Sequence, residues 1–335
     1  MRRIQVILFV LSVSFFAAAA RAQVQTGLPL FGSFSGGPFD TVNNANLNVT
    51  FSIPVENKAG RGLPFNYNLT YDTSVWYPVG SSGMQIWQPV TNWGWSTWTA
   101  AQTGYVYYNQ TTNYCNYYTG YTYVQVPYEV IFSNFIYYDK GGTPHPFPGQ
   151  NAIWANPGGG CPSGTNSYDN GAVATDGSGY VFNGKNWNLT SPQGQTITPP
   201  FQASTGAGST TDANGNTISN GSNGVYTDTL GVTALTVAGS APSPVTFTYP
   251  AAGGSATVTV KYVSKTVRTN FGCSGISEFG PTTENLVTEI DMPDINSNPS
   301  DKYTFTYEAT PNYSGDYTGR LASVTLPSGG TINYT

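Results

Sequence analysis

The sequence predicts an all-β protein, built as a β-sandwich or as stacked β-hairpin sheets with long Gly, Asn and Ser-rich loops. Three observations predict it. Aromatic residues make up 14% of the 335-residue chain and charged residues only 9%, so there is surface to bury and too little charge for a disordered polyelectrolyte. The 39 Gly and 23 Pro break up long helices, without the strict glycine period of collagen. Short segments with apolar residues at alternate positions recur between turn signals about 8–12 residues apart, which favours a sandwich or hairpins over βαβ units.

Residues 1–22 carry the three parts of a secretory signal peptide. Arg2 and Arg3 form the charged start, residues 4–16 the apolar run, and Ala20-Arg21-Ala22 the small-x-small cleavage site. The run is shorter than the roughly 20 residues of a membrane span. Cleavage after Ala22 and a secreted or cell-surface location are therefore expected, with no membrane span in the remainder. Losing Arg2, Arg3 and Arg21 takes the formal charge from −5 to −8 over 313 residues. An acidic chain without clustered Lys and Arg excludes nucleic acid as a partner, because phosphate binding depends on such clusters.

Residues 23–138 read as an aromatic-rich β region. Leu47, Val49, Phe51 and Ile53 fall on one face of a period-two segment, and Phe65, Tyr67, Leu69 and Tyr71 on one face of the next; the two form a hairpin or adjacent strands. Trp87, Trp93, Trp95 and Trp98 follow, then a Tyr-rich tract that includes Tyr121 and Tyr123. Cross-strand aromatic packing, at about 0.2–1 kcal/mol per pair, is one reading of this stretch. The other is a platform on which Trp87, Trp93, Trp95, Trp98, Tyr121 and Tyr123 stack against the apolar faces of cell-surface glycans.

Residues 139–178 shift to Gly, Pro, Asn and Ser and read as a long loop or boundary. Residues 179–335 form a β-hairpin region, with strands expected in 180–200, 225–237, 244–249, 256–268, 284–292, 302–308 and 319–335. The intervening 202–224 is rich in Ser, Thr, Gly and Asn. Cys115, Cys161 and Cys273 match no metal spacing, and in an exported chain one bridge plus one free thiol is expected. Cys161 with Cys273 is the candidate pair, since both lie in Gly-rich loops, although spacing alone does not decide the pairing.

The inventory is poor in chemistry. His145, the only histidine, sits between Pro144 and Pro146 and reads as structural, since a triad base needs a positioned nucleophile and carboxylate. One His and three scattered Cys make no zinc site, and neither a metal nor a cofactor is expected. Glu278, Glu284, Glu289, Asp291 and Asp294 cluster in sequence, so a carboxylate pair flanking a sugar is conceivable; acidic residues at turns and strand ends are the plainer reading. Asp212, Asn214 and Asn216 fit either the opening of a calcium loop, lacking its distal Glu, or an Asx turn. Gly158 to Gly160 precede no Lys-Ser or Lys-Thr and form no phosphate loop. A non-enzymatic role is expected.

An internal repeat is more informative. Residues 189–197 (LTSPQGQTI) align with 324–332 (VTLPSGGTI) at five identical positions of nine, each reading as strand, turn and strand. Residues 319–335, which open on Gly319-Arg320-Leu321, resemble the start of the YD repeat of Rhs proteins, with its G-R-L-x-x-V-x-x-P-x-G pattern. Asp212-Ala213-Asn214-Gly215-Asn216 is similar to the D-x-x-G-N element of those repeats, and residues 34–77 look like the region that precedes them in secreted bacterial members. The resemblance implies the N-terminal portion of a longer repeat protein. Such a portion would help build a β-sheet shell that encloses or presents a C-terminal effector, with downstream repeats or that effector as its partners.

Overall fold

The computed structural model describes residues 33–60, 63–99, 101–140, 142–204, 206–293 and 301–334. The expected signal peptide, residues 1–22, lies outside them. The described chain is all-β, its one helical element being a 3-10 turn at Thr91–Gly94.

Strands β1 (Phe34–Gly36), β2 (Asp40–Asn43), β3 (Val49–Lys58) and β4 (Phe65–Asp72) form an antiparallel meander. Strands β5 (Trp76–Val79) and β6 (Gln85–Pro89) make a separate hairpin, after which β7 (Trp95–Thr99) returns to the outer side of β4. Strands β8 (Tyr105–Tyr118) and β9 (Tyr123–Tyr138) form a long arm, and β10 (Pro144–Pro146) and β11 (Gln150–Trp154) both pair along β9. The three- and four-residue strands β12 (Asn170–Val173), β13 (Val181–Asn183), β14 (Asn188–Thr190), β15 (Thr196–Thr198), β16 (Gly208–Thr211), β17 (Thr217–Asn220) and β18 (Val225–Thr227) open a ribbon. It continues through β19 (Thr233–Ala238), β20 (Val245–Ala251) and β21 (Gly254–Val267). Strand β22 (Ile276–Ser277) leaves to pair with β6, and β23 (Thr282–Asp291), β24 (Lys302–Ala309), β25 (Asp316–Thr325) and β26 (Thr331–Asn333) complete it.

The ribbon is one 14-stranded sheet whose neighbours follow chain order apart from β22. Near its end β21 also meets β25 in parallel, at Thr266 with Asp316 and Val267 with Tyr317, so that β21, β23, β24 and β25 close on one another.

One face of the ribbon is covered by two smaller sheets, which makes two cores. In the first, Phe51, Ile53, Phe65, Tyr67, Leu69 and Tyr71 from β3 and β4 pack on Leu235, Phe247, Val258, Ile290, Phe305 and Val324 of the ribbon. In the second, Val106, Phe135 and Tyr137 of the arm and Phe147 pack on Phe182, Leu189 and Ile197. The alternation seen in the sequence supplies both, because a period of two sends every second side chain to the same face.

The ribbon is turned repeatedly by one device. At 191–195, 212–216, 221–225, 228–232 and 326–330 the first residue's N–H donates to the fifth residue's carbonyl, and the fourth residue's N–H donates to the first carbonyl. The fourth residue is Gly194, Gly215, Gly224, Gly231 and Gly329, each with φ between 74° and 85°. This is the three-residue hairpin loop in which a left-handed glycine follows a type I turn. The internal repeat is two such hairpins: Leu189 pairs with Ile197 across one and Val324 with Ile332 across the other. Asp212 accepts from the backbone N–H groups of Asn214 and Asn216 and from the Asn216 side chain, an Asx arrangement that holds its carboxyl below the usual aspartate range.

Three expectations need correction. Leu47 does not join the face of Phe51 and Ile53; it occupies a left-handed turn with φ 58° and is 75% exposed. The stretch 139–178 is no continuous loop: β10, β11 and β12 interrupt it, its longest run outside strands and bridges is 155–166, and Phe147 and Ala172 enter the second core. The disulfide joins Cys161 to Cys115, with Cα atoms 5.6 Å apart, and Cys273 is the exposed free thiol. The reason is local packing. The loop bearing Cys161 folds back on the arm, where Gly159 lies so close to the Tyr117 ring that a Cβ would sit 2.5 Å from it. Cys273 lies in the turn before β22, where Gly275 approaches Gly83.

The bridge closes 46 residues of sequence, so replacing Cys115 and Cys161 together by Ser should cost about 3–4 kcal/mol on the chain-entropy account. Urea unfolding checks the loss; Cys273→Ser should leave the midpoint unchanged.

Candidate functional site

The most developed site is the junction where residues 318–321 dock onto the N-terminal sheets. Gly319 has φ 78°, and a Cβ there would lie 2.7 Å from the Trp93 ring, so only glycine lets the strand lie against the indole. The Trp76 Nε1–H donates to the Thr318 carbonyl at 2.8 Å. The Leu321 N–H donates to the Tyr71 hydroxyl at 3.2 Å, and burial pushes that phenol's pKa up. Arg320 reaches Glu308 through Nε and a terminal nitrogen, both at 2.8 Å, while Thr318 donates to the same carboxylate. Each side chain of the ion pair is about 40% exposed, so the fork orients β25 more than it stabilises it.

Rings around the junction lock it. Trp93 meets Trp76 edge to face at 5.6 Å, Trp95 meets Phe305 at 5.0 Å, and Phe51 stacks on Tyr71 at 5.3 Å. Trp93 itself is held at φ 56° between Asn92 at φ 56° and Gly94 at φ 85°. A bulky residue is rare in that region, and here packing against Trp76 and Gly319 holds it.

This location corrects the sugar-platform reading for two of its residues. Trp93 and Trp95 are 9% and 8% exposed and pack within the core. Trp87 lies on β6 with its ring against Phe271 at 5.4 Å, and Trp98 is exposed on β7 under the Lys140 ammonium at 4.7 Å. Tyr121 and Tyr123, 96% and 68% exposed, stand at the tip of the arm. Trp87, Trp95, Trp98 and Tyr123 therefore lie on strands of three different sheets, with Trp93 on the 3-10 turn and Tyr121 in the turn between β8 and β9. Trp76, Tyr71 and Gly319, which make the junction, had no sequence signal marking them as partners beyond the glycine of the Gly-Arg-Leu motif.

Among the polar groups with catalytic potential, His145, Glu278, Glu289 and Asp291 are tied up internally. His145 is buried, with Nδ1 2.6 Å from Asp176 and Nε2 3.5 Å from Asp139, and Tyr180 and Tyr137 flank its ring. Carboxylates face both imidazole nitrogens, so neither is directed at a nucleophile. Burial acts to raise the Asp176 carboxyl, but hydrogen bonds from Ser178 and His145 outweigh it and hold the pKa at about 2. Glu289 accepts from Lys261 at 2.6 Å and Lys302 at 2.7 Å, which holds it at about 2; Asp291 shares Lys261. Glu278 accepts from the Gly272 N–H, and Asp294 lies outside the described residues. Among the described residues no group of three or more His, Cys, Asp or Glu is arranged for a metal ion.

Comparison with protein-family models, with curated proteins and with solved structures gives no match to this chain.

Gly319→Ala should destabilise the protein by about 2–4 kcal/mol, from the left-handed backbone and the clash with Trp93. The same change in a Trp93→Ala background should cost clearly less, and a double-mutant cycle in urea measures the difference. The Glu289 pairing gives a pH signature. A depressed carboxyl contributes stability in full above its ordinary 4.5 and loses it as pH falls through about 2. Glu289→Gln should therefore cost about 1 kcal/mol at neutral pH, discounted for solvent screening. The two proteins should converge near pH 2, as followed by thermal melts across pH.

Proposed function

We propose that the protein is a non-enzymatic structural part of an exported Rhs/YD-repeat protein, in which the ribbon is a stretch of shell wall and the N-terminal sheets cap its inner face. The observation that carries this reading is a sheet of 14 strands in nearly unbroken chain order, turned by the same glycine loop at 191–195 and 326–330. A hairpin is marginal alone and gains stability from neighbours, so an architecture that adds hairpins along one axis suits a wall. The Gly-Arg-Leu segment sits where the cap meets the ribbon, and the internal pairing of His145, Glu289 and Asp291 fits a protein without chemistry of its own. Downstream repeats, or an effector they present, are its partners in this reading. Secretion rests on the sequence of residues 1–22.

Among the described residues strand β26 pairs on one edge, toward β25. Appending a copy of residues 187–198 after Thr335 should slow amide exchange at Thr331–Asn333 and raise the unfolding midpoint, while a scrambled copy should do neither. No difference between the two would count against a ribbon that grows by hairpins.

A second reading, carbohydrate adhesion, is favoured by the exposure of Tyr121 and Tyr123 and the Tyr118–Tyr123 ring contact of 5.1 Å at the arm tip. On a glycan array, binding lost in Tyr121→Ala/Tyr123→Ala at unchanged melting temperature supports it. A flat array removes it.

A further inference from the structure

The N-terminal sheet ends at β7, which pairs with β4 on one side and with no strand on the other among the described residues. Beneath that free edge the ribbon is only partly covered. A cavity of about 700 Å³ opens there between Trp95 and the ribbon residues Phe247, Val260 and Tyr262, with Glu284 among its lining residues. A second, of about 460 Å³, reaches Lys140 and Tyr226. Both are lined by Tyr67, Thr97 and Val237, so together they make one groove along β7.

The shape and chemistry select an extended chain. Five residues of β7 span about 17 Å at the rise of a strand, and outward-facing backbone N–H and C=O groups of an edge strand are open to a further strand. A strand laid there would point alternate side chains between the two sheets, onto the apolar groove floor. One charge at the groove is unmatched. The partly buried Glu284 side chain has no ion pair or hydrogen bond among the described residues; Lys265, its cross-strand neighbour, turns instead to the Tyr317 ring at 4.4 Å. Toward the other end Lys140 already lies over Trp98, beside Asp139.

We infer that β7 and the groove beneath it bind an extended polypeptide segment of a separate protein by strand addition, with alternate apolar side chains in the groove and a basic side chain at Glu284. Backbone hydrogen bonds along the edge supply affinity, and the apolar groove and the carboxylate supply selectivity. This inference is independent of the scaffold reading, since it concerns a sheet edge outside the ribbon.

The test uses the whole protein and a display library of peptides of about eight residues, with apolar and polar positions alternating and Lys, Arg, Asp and Glu allowed at the polar ones. Enriched peptides are expected to carry Lys or Arg and to slow amide exchange at Ser96–Trp98. N-methylation of one alternate set of backbone nitrogens should weaken binding about tenfold or more, and of the other set hardly at all. Selection against Glu284→Lys, checked for an unchanged melting temperature, should enrich Asp or Glu instead. No enrichment over a blank surface overturns the inference, as does equal tolerance of both N-methylated sets or protection confined to other strands. Sedimentation showing a dimer that Glu284→Lys dissolves would assign the groove to a second copy of this chain and overturn it equally.

Discussion

A ribbon of short hairpins has one apolar face, and the structure depends on covering it. Three-residue strands such as β13, β14 and β15 bury little on their own, so the face they share must be roofed by something rigid. The arm and the N-terminal sheet provide that roof. Phe135 and Tyr137 close the first half of the ribbon, and Phe51, Tyr67 and Tyr71 close the second. Aromatic residues suit the work, since each ring buries a large area and adds edge-to-face contacts beyond it. The scarcity of charge follows from the same requirement: a chain with so much of its alternate register turned inward has few positions left for charged groups.

The turn chemistry and the roof act together. A glycine sits at the fourth position of each five-residue turn, and buried residues of successive strands fall into line: Phe182, Leu189, Ile197, Thr210 and Ile218. Polar groups then serve the backbone. Asp212 and Asp228 cap their own turns, and Thr pairs such as Thr211 with Thr217 and Thr325 with Thr331 bridge neighbouring strands. These side chains spend their hydrogen-bonding capacity on holding the ribbon's shape.

The junction at Gly319 shows how the two ends of the chain become one object. Tyr71 and Trp76 lie more than 240 residues from the backbone groups they hold, and Trp93 needs a bare Cα opposite its ring. Where the roof stops, at β7, the same geometry leaves a sheet edge above an apolar floor. Coverage and vacancy therefore have one origin, the mismatch between a roofing sheet of five strands and a ribbon of fourteen.

By itself the sequence determined the fold class, the faces of β3 and β4 and the turn repeat, because period-two burial and left-handed glycine are local properties written residue by residue. It also pointed to Gly319-Arg320-Leu321 as a motif. Only the tertiary structure decided what lies opposite. Trp93 and Trp95 look in sequence like Trp98, yet packing against Gly319 and Phe305 buries the first two and leaves the third exposed. Cys161 and Cys273 share a Gly-rich setting, but a loop's composition carries no information on which strand it folds against, and Cys115 was the one within reach. The Ser and Thr-rich 202–224 became strands β16 and β17 because Thr210 and Ile218 each had a roofed core to face, a condition set by residues far away in the chain.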